Sequence, residues 1–121
     1  MRRVGLITLC IVGGLAAEGV LAACARNAHG VFEDINCAAG AFTTADCELN
    51  AAYRDLLAKV SPEQKKLLTR SQRAWLQFVE DESAFIRSVE GDGSSGDLMV
   101  TNFREAEARI LTKQLRNWRI E

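Results

Sequence analysis

Side chains able to do acid–base or covalent chemistry are few in this 121-residue chain, and they are scattered. The one histidine, His29, stands in an irregular N-terminal stretch with no cysteine or carboxylate at metal-ligand spacing, so no zinc site is expected. Glu80 and Glu82 are close in sequence, but residues two apart on a helix point to different sides and do not form an acid–base pair. Ser94 and Ser95 have no base near them in sequence. The glycine-rich stretch 91–96 lacks the Lys-Ser/Thr of a phosphate-binding loop and follows helical sequence rather than a strand. The chain therefore reads as a non-enzyme, with no catalytic residues, no metal ligands and no cofactor.

The cysteines carry more information. Arg2 and Arg3 precede an apolar run over residues 4–17, followed by small residues, the pattern of a secretory leader. The run is shorter than the roughly 18 residues that span a bilayer, and no other segment is long enough, so no transmembrane segment is expected. Residues 1–22 are assigned to the leader and residues 23–121 to a single domain. Export to the periplasm or outside the cell places that domain where disulfides persist. Cys10 leaves with the leader, and Cys24, Cys37 and Cys47 remain. Cleavage after Ala22 keeps Cys24, while Ala23-Cys24-Ala25 is a second small-x-small site that removes it. Leu21-Ala22-Ala23-Cys24 also fits a lipobox, the alternative in which Cys24 carries a lipid anchor. A retained Cys24 bridged to Cys37 would stabilise by about 3 kcal/mol in the chain-entropy model, leaving Cys47 as a buried apolar spare. The other option, Cys37 with Cys47, requires a break near Gly40, because ten residues of straight helix span about 15 Å.

The elements that must carry these residues are helical. Apolar residues recur with helical spacing from Ile35 through Phe42, Leu49, Tyr53 and Leu56 to Val60. Gly40 and Thr43-Thr44 are soft points that leave the start of this helix between Ile35 and Thr44. Ser61-Pro62-Glu63-Gln64 then has the form of a capping box with proline at the first helical position. A second stripe follows, through Leu67, Leu68, Trp75, Phe78, Val79, Phe85, Ile86 and Val89, and ends at the glycine-rich stretch. Asp97 is placed to cap a third helix, with Val100, Phe103, Ile110, Leu111, Leu115 and Trp118 on its stripe. No β-branched alternating run occurs. The prediction is an all-α fold, a three-helix antiparallel up-down-up bundle around one small core.

Charge is segregated along this pattern. Residues 51–73 carry a net +4 and residues 74–97 a net −5, although the whole chain is near neutral at −1. Without a strongly basic balance, nucleic acid is not an expected partner. The acidic tip after the second helix is suited to steering a basic protein partner.

Two clusters, Leu49-Asn50-Ala51-Ala52-Tyr53 and Gln72-Arg73-Ala74-Trp75, stand in an order and spacing that resembles the LprI-type lysozyme inhibitor family. The resemblance covers roughly residues 24–118. That family's first cysteine pair falls on Cys24 and Cys37, which supports retaining Cys24 and bridging it to Cys37. Its Arg-Asp-x-x-Cys corresponds here to Val79-Glu80 and Ser83, and its fourth cysteine would fall near Leu98 or Met99. The second family disulfide is thus absent, which predicts a more mobile loop over residues 91–97. Tyr53 and Trp75 lie on apolar stripes and are assigned to the core. Asn50, Gln72 and Arg73 are motif residues with structural roles, Asn50 and Arg73 as polar links between helices.

The resemblance implies an exported inhibitor of animal-type (c-type) lysozyme, a cationic protein partner whose cleft it would block. Asp92, Ser94, Ser95 and Asp97 are the candidate contact residues, as a loop whose hydroxyls reach the enzyme's carboxylates. The other class of function open to the same fold is a cell-envelope interaction or chaperone-like module with a different partner.

Overall fold

The computed structural model describes residues 31–120, with side chains from Asp34 onward. The expected leader, Cys24 and His29 lie outside the described residues. Three helices are present, α1 (Val31–Leu57), α2 (Pro62–Glu90) and α3 (Ser94–Asn117), and no strand occurs among the described residues. They run up-down-up, as the short connections require. The long contact is between α1 and α3, and α2 packs more briefly on α3.

α1 passes through Gly40 without a break. The hydroxyl of Thr43 donates to the Ala39 carbonyl at 2.9 Å and that of Thr44 to the Gly40 carbonyl at 3.2 Å. These bonds to the preceding turn satisfy the threonines inside the helix instead of competing with it. An unbroken α1 separates Cys37 from Cys47 by about 15 Å along one axis, so the two cannot bridge each other. Neither is free, so Cys47 is not the spare thiol expected.

α2 begins as its sequence predicts. The Gln64 amide donates to the Ser61 hydroxyl at 3.2 Å, and the Ser61 amide to the Gln64 side-chain oxygen at 2.9 Å, with Pro62 at the first helical position. Two of the amides that a helix start leaves unsatisfied are met in this way.

The core is built mainly by α1 and α3. Ala45, Leu49, Ala52, Tyr53 and Leu56 meet Ala108 and Leu115, with Val60, Leu68, Trp75, Leu111 and Ile120 partly buried around them. Alanines at this contact let the two helix axes approach closely. α2 buries only Val79 and Ser83. Several residues expected in the core are therefore on the surface: Leu67, Phe78, Phe85 and Val89 of α2 and Ile110 of α3 are each about half exposed or more. α2 has apolar residues over a wider arc than its one packed neighbour covers. Trp118 lies past the end of α3 and is 64% exposed.

The second connection is shorter than its composition suggests. Only residues 91–93 join α2 to α3, and Ser94, Ser95, Gly96 and Asp97 form the first turn of α3. Gly93, not Asp97, is the N-cap, without a side-chain cap bond. Two glycines make the corner possible. Gly91 has φ +89°, a left-handed conformation that favours glycine. A Cβ at Gly96 would stand 1.9 Å from the Gly91 carbonyl oxygen, so only glycine lets α3 start this close to the end of α2.

Candidate functional site

The α2–α3 corner brings the four candidate contact residues to one end of the bundle. Ser94 and Ser95 are exposed in the first turn of α3, with Asp92 exposed just before it. The Asp97 carboxylate accepts an ion-paired hydrogen bond from Arg87 of α2. As an acidic residue in a helix's first turn it is also favoured by the helix dipole. Asp97 thus ties the corner together as well as adding to its charge.

A second tie lies one to two turns deeper. Ser83, at the family's cysteine position, is buried, and its hydroxyl donates to the Val79 carbonyl at 2.6 Å. The Arg104 guanidinium of α3 donates to that same hydroxyl oxygen at 3.2 Å and reaches Glu80 at 3.5 Å. Phe78 of α2 also meets Phe103 of α3 edge to face, ring centroids 6.1 Å apart. The corner expected to be loosened by the missing disulfide is crossed instead by these contacts. No local signal pointed to Arg104, because it sits 24 residues after Glu80 and 21 after Ser83.

Around the ties this end is acidic and partly apolar. Phe85 and Val89 are 61% and 64% exposed on α2, beside Glu82 and Glu90 in sequence, and Met99 is exposed on α3. The spacing that placed Phe85 and Val89 on one helical face was visible in the sequence. That their face would be uncovered was not.

The motif residues divide. Tyr53 is buried in the core, where burial pushes its phenol up from 10.0, and Trp75 packs against the same cluster. Gln72 is half-buried, while Asn50 and Arg73 are exposed. Neither Asn50 nor Arg73 makes a side-chain hydrogen bond among the described residues, so the expected polar links are not formed. Arg73 instead borders a groove between α1 and α2 of about 700 Å³, with Phe42, Asp46, Leu76 and Glu80. There, burial pushes the Asp46 carboxyl above its ordinary 3.8.

The opposite end is basic. Residues 54–73 and 113–119, which the antiparallel fold brings together, hold nine lysines and arginines against Asp55 and Glu63. All nine cations are exposed. Only the return of α3 joins segment 113–119 to residues 51–73, so sequence order alone does not group them. Among the described residues no group of side chains could hold a metal ion, and no helix is long and apolar enough to cross a membrane.

Comparison with known proteins yields one family. The model described as lysozyme inhibitor LprI matches residues 23–115, a span that includes both motif clusters and all three helices apart from the last residues of α3. No curated protein and no solved structure gives a significant match. The family is one of inhibitors rather than enzymes, and its partner is a lysozyme. With the motif residues, the helical architecture and a match over most of its length in agreement, the chain belongs to the LprI lysozyme inhibitor family.

Proposed function

We propose that this protein is an exported inhibitor of animal-type lysozyme that binds the cationic enzyme with its acidic α2–α3 end and obstructs the cleft. The observation that carries the reading is the union of a net −5 segment, residues 74–97, with exposed Phe85 and Val89 at the same end. Charge speeds and orients the encounter, and desolvation of the apolar residues supplies the holding energy. Ser94, Ser95 and the uncapped first turn of α3 offer hydroxyl and amide donors, the groups that catalytic carboxylates accept. A three-residue connection also lowers the ordering cost of such a contact, since each residue fixed costs about 1–2 kcal/mol of backbone entropy.

The test is a cell-wall lysis assay with an animal-type lysozyme and the purified, oxidised protein. Stoichiometric inhibition that weakens as salt rises is expected. Replacing Ser94 and Ser95 by alanine together with Asp92→Asn and Asp97→Asn should weaken it further. No inhibition at a large molar excess would overturn the reading and leave an envelope module with another partner.

A further inference from the structure

The basic end has a composition that the lysozyme contact proposed above does not use. A concavity of about 780 Å³ at the start of α2 is lined by Lys65, Lys66, Arg70 and Arg73, with Val60 and Pro62 as an apolar wall and no carboxylate in its lining. Its one nearby ion pair, Lys66 with Glu63 at 3.7 Å, is highly exposed on both sides and easily exchanged. At the same end of the bundle Trp118, which is 64% exposed, stands among Arg116 and Arg119 in sequence, and Leu67, which follows Lys66, is 60% exposed. Cations alone would suit any polyanion. Cations at one end together with an exposed tryptophan and leucine suit an interface where phosphate groups overlie hydrocarbon.

We propose that this end docks on an anionic phospholipid membrane. Phosphate headgroups would sit in the concavity among Lys65, Lys66 and Arg70, and Trp118 and Leu67 would enter the headgroup layer. The bundle is about 40 Å long, from 29 residues of α2 at 1.5 Å each. Against a screening length of about 8 Å at physiological salt, the acidic end is electrically independent of a surface held by the basic one. A protein docked this way presents its acidic end outward, toward the side from which a cationic partner arrives. The docking itself does not depend on what that partner is, so the lysis assay and the membrane assay fail separately.

The experiment is co-sedimentation of the purified, unlipidated protein with vesicles of mixed phosphatidylglycerol and phosphatidylcholine, against pure phosphatidylcholine, at low salt and at about 0.5 M NaCl. Inorganic polyphosphate serves as a soluble anionic probe. Binding is expected only to the anionic vesicles, lost at high salt, with a blue shift of tryptophan fluorescence. The triple variant Lys65→Ser, Lys66→Ser, Arg70→Ser should lose roughly 100-fold in partitioning, from about fivefold per charge removed. Trp118→Ser should weaken vesicle binding several-fold and leave polyphosphate binding unchanged. These residues are exposed, so helicity by circular dichroism should not change. Equal binding to both vesicle types, no binding to anionic vesicles at low salt, full binding by the triple variant, or binding to polyphosphate but not to anionic vesicles would each overturn the proposal.

Discussion

The two ends of this bundle are made from the same three helices and differ in both charge and the means by which they are closed. At the basic end, Leu56, Val60, Leu68, Leu115 and Ile120 join one apolar cluster. At the acidic end, the edge-to-face Phe78–Phe103 contact is joined by a glycine-to-carbonyl approach, the Arg87–Asp97 pair and the Ser83–Arg104 hydrogen bond. Apolar packing is non-directional and tolerates substitution of similar volume. Hydrogen bonds and a glycine contact are directional and specify one geometry. The end with the most apolar closure carries cations on its outside, and the end proposed to meet lysozyme is the one held by specific polar geometry. A net charge of −1 conceals both facts, because opposite charges separated by several screening lengths do not cancel locally.

The comparison breaks most visibly if the ends are interchangeable for inhibition. Replacing Phe85 and Val89 by serine should weaken lysozyme inhibition about 30-fold or more, as expected for hot-spot truncations near 2 kcal/mol. Leu67→Ser at the other end should leave the inhibition constant unchanged. Thermal melting should be little altered in either, since all three side chains are largely exposed. Equal losses from both changes would erase the assignment of function to one end.

A pair of glycine substitutions sharpens the contrast in how the ends are held. Gly96→Ala should destabilise by about 1–3 kcal/mol, the range for overpacking, because its Cβ meets backbone that cannot move aside. Gly40→Ala, inside α1 with nothing within 4 Å of its Cβ, should stabilise by about 0.5–1 kcal/mol through lower unfolded-state entropy. Urea denaturation reads both, and a destabilised Gly40 variant would show that α1 is not the continuous helix described. Arg104→Met should cost about 1 kcal/mol by removing the donor to Ser83 while keeping the aliphatic stem against the helix. No change in the denaturation midpoint would mean that the polar tie adds no stability at the acidic corner.

The smallest effect lies between the ends, at Asp46. Burial raises its carboxyl pKa, so the protonated form is the one the fold prefers. The resulting stabilisation is complete below the ordinary carboxylate value of 3.8 and is lost as pH rises through the raised value. At neutral pH the charged form is a slight cost. Asp46→Asn should therefore raise the melting temperature modestly at neutral pH, with the gain vanishing in acid below that value. A loss of stability at neutral pH would show that the carboxylate is held by a favourable partner in the groove.

Much of this was legible in the residues, for identifiable reasons. The Ser61-Pro62-Glu63-Gln64 start of α2 is a contact among neighbours, and it formed as read. Helical spacing puts Tyr53 and Trp75 on the core-facing stripes; Tyr53 is buried there and Trp75 packs half-buried against the same cluster. The motif order pointed to the family that the comparison found. Errors arose where a second element decided the outcome. Phe78, Phe85 and Val89 were read as core because periodicity shows that residues share a face, not that another helix covers it. Glycine content alone makes residues 91–97 look like a loop. Their last four residues are helical, in a turn that Gly96 lets lie against Gly91.

Local physics set the helix count, the all-α class, the capping box and the division of charge along the chain, because each depends on residues within a few turns of one another. Packing set the rest. Which stripe of α2 is buried, how Arg104 reaches Ser83, and how residues 113–119 join 54–73 into one basic end all depend on where α3 returns. The contact of α3 with α1 decides that return, and it brings together side chains that are dozens of residues apart.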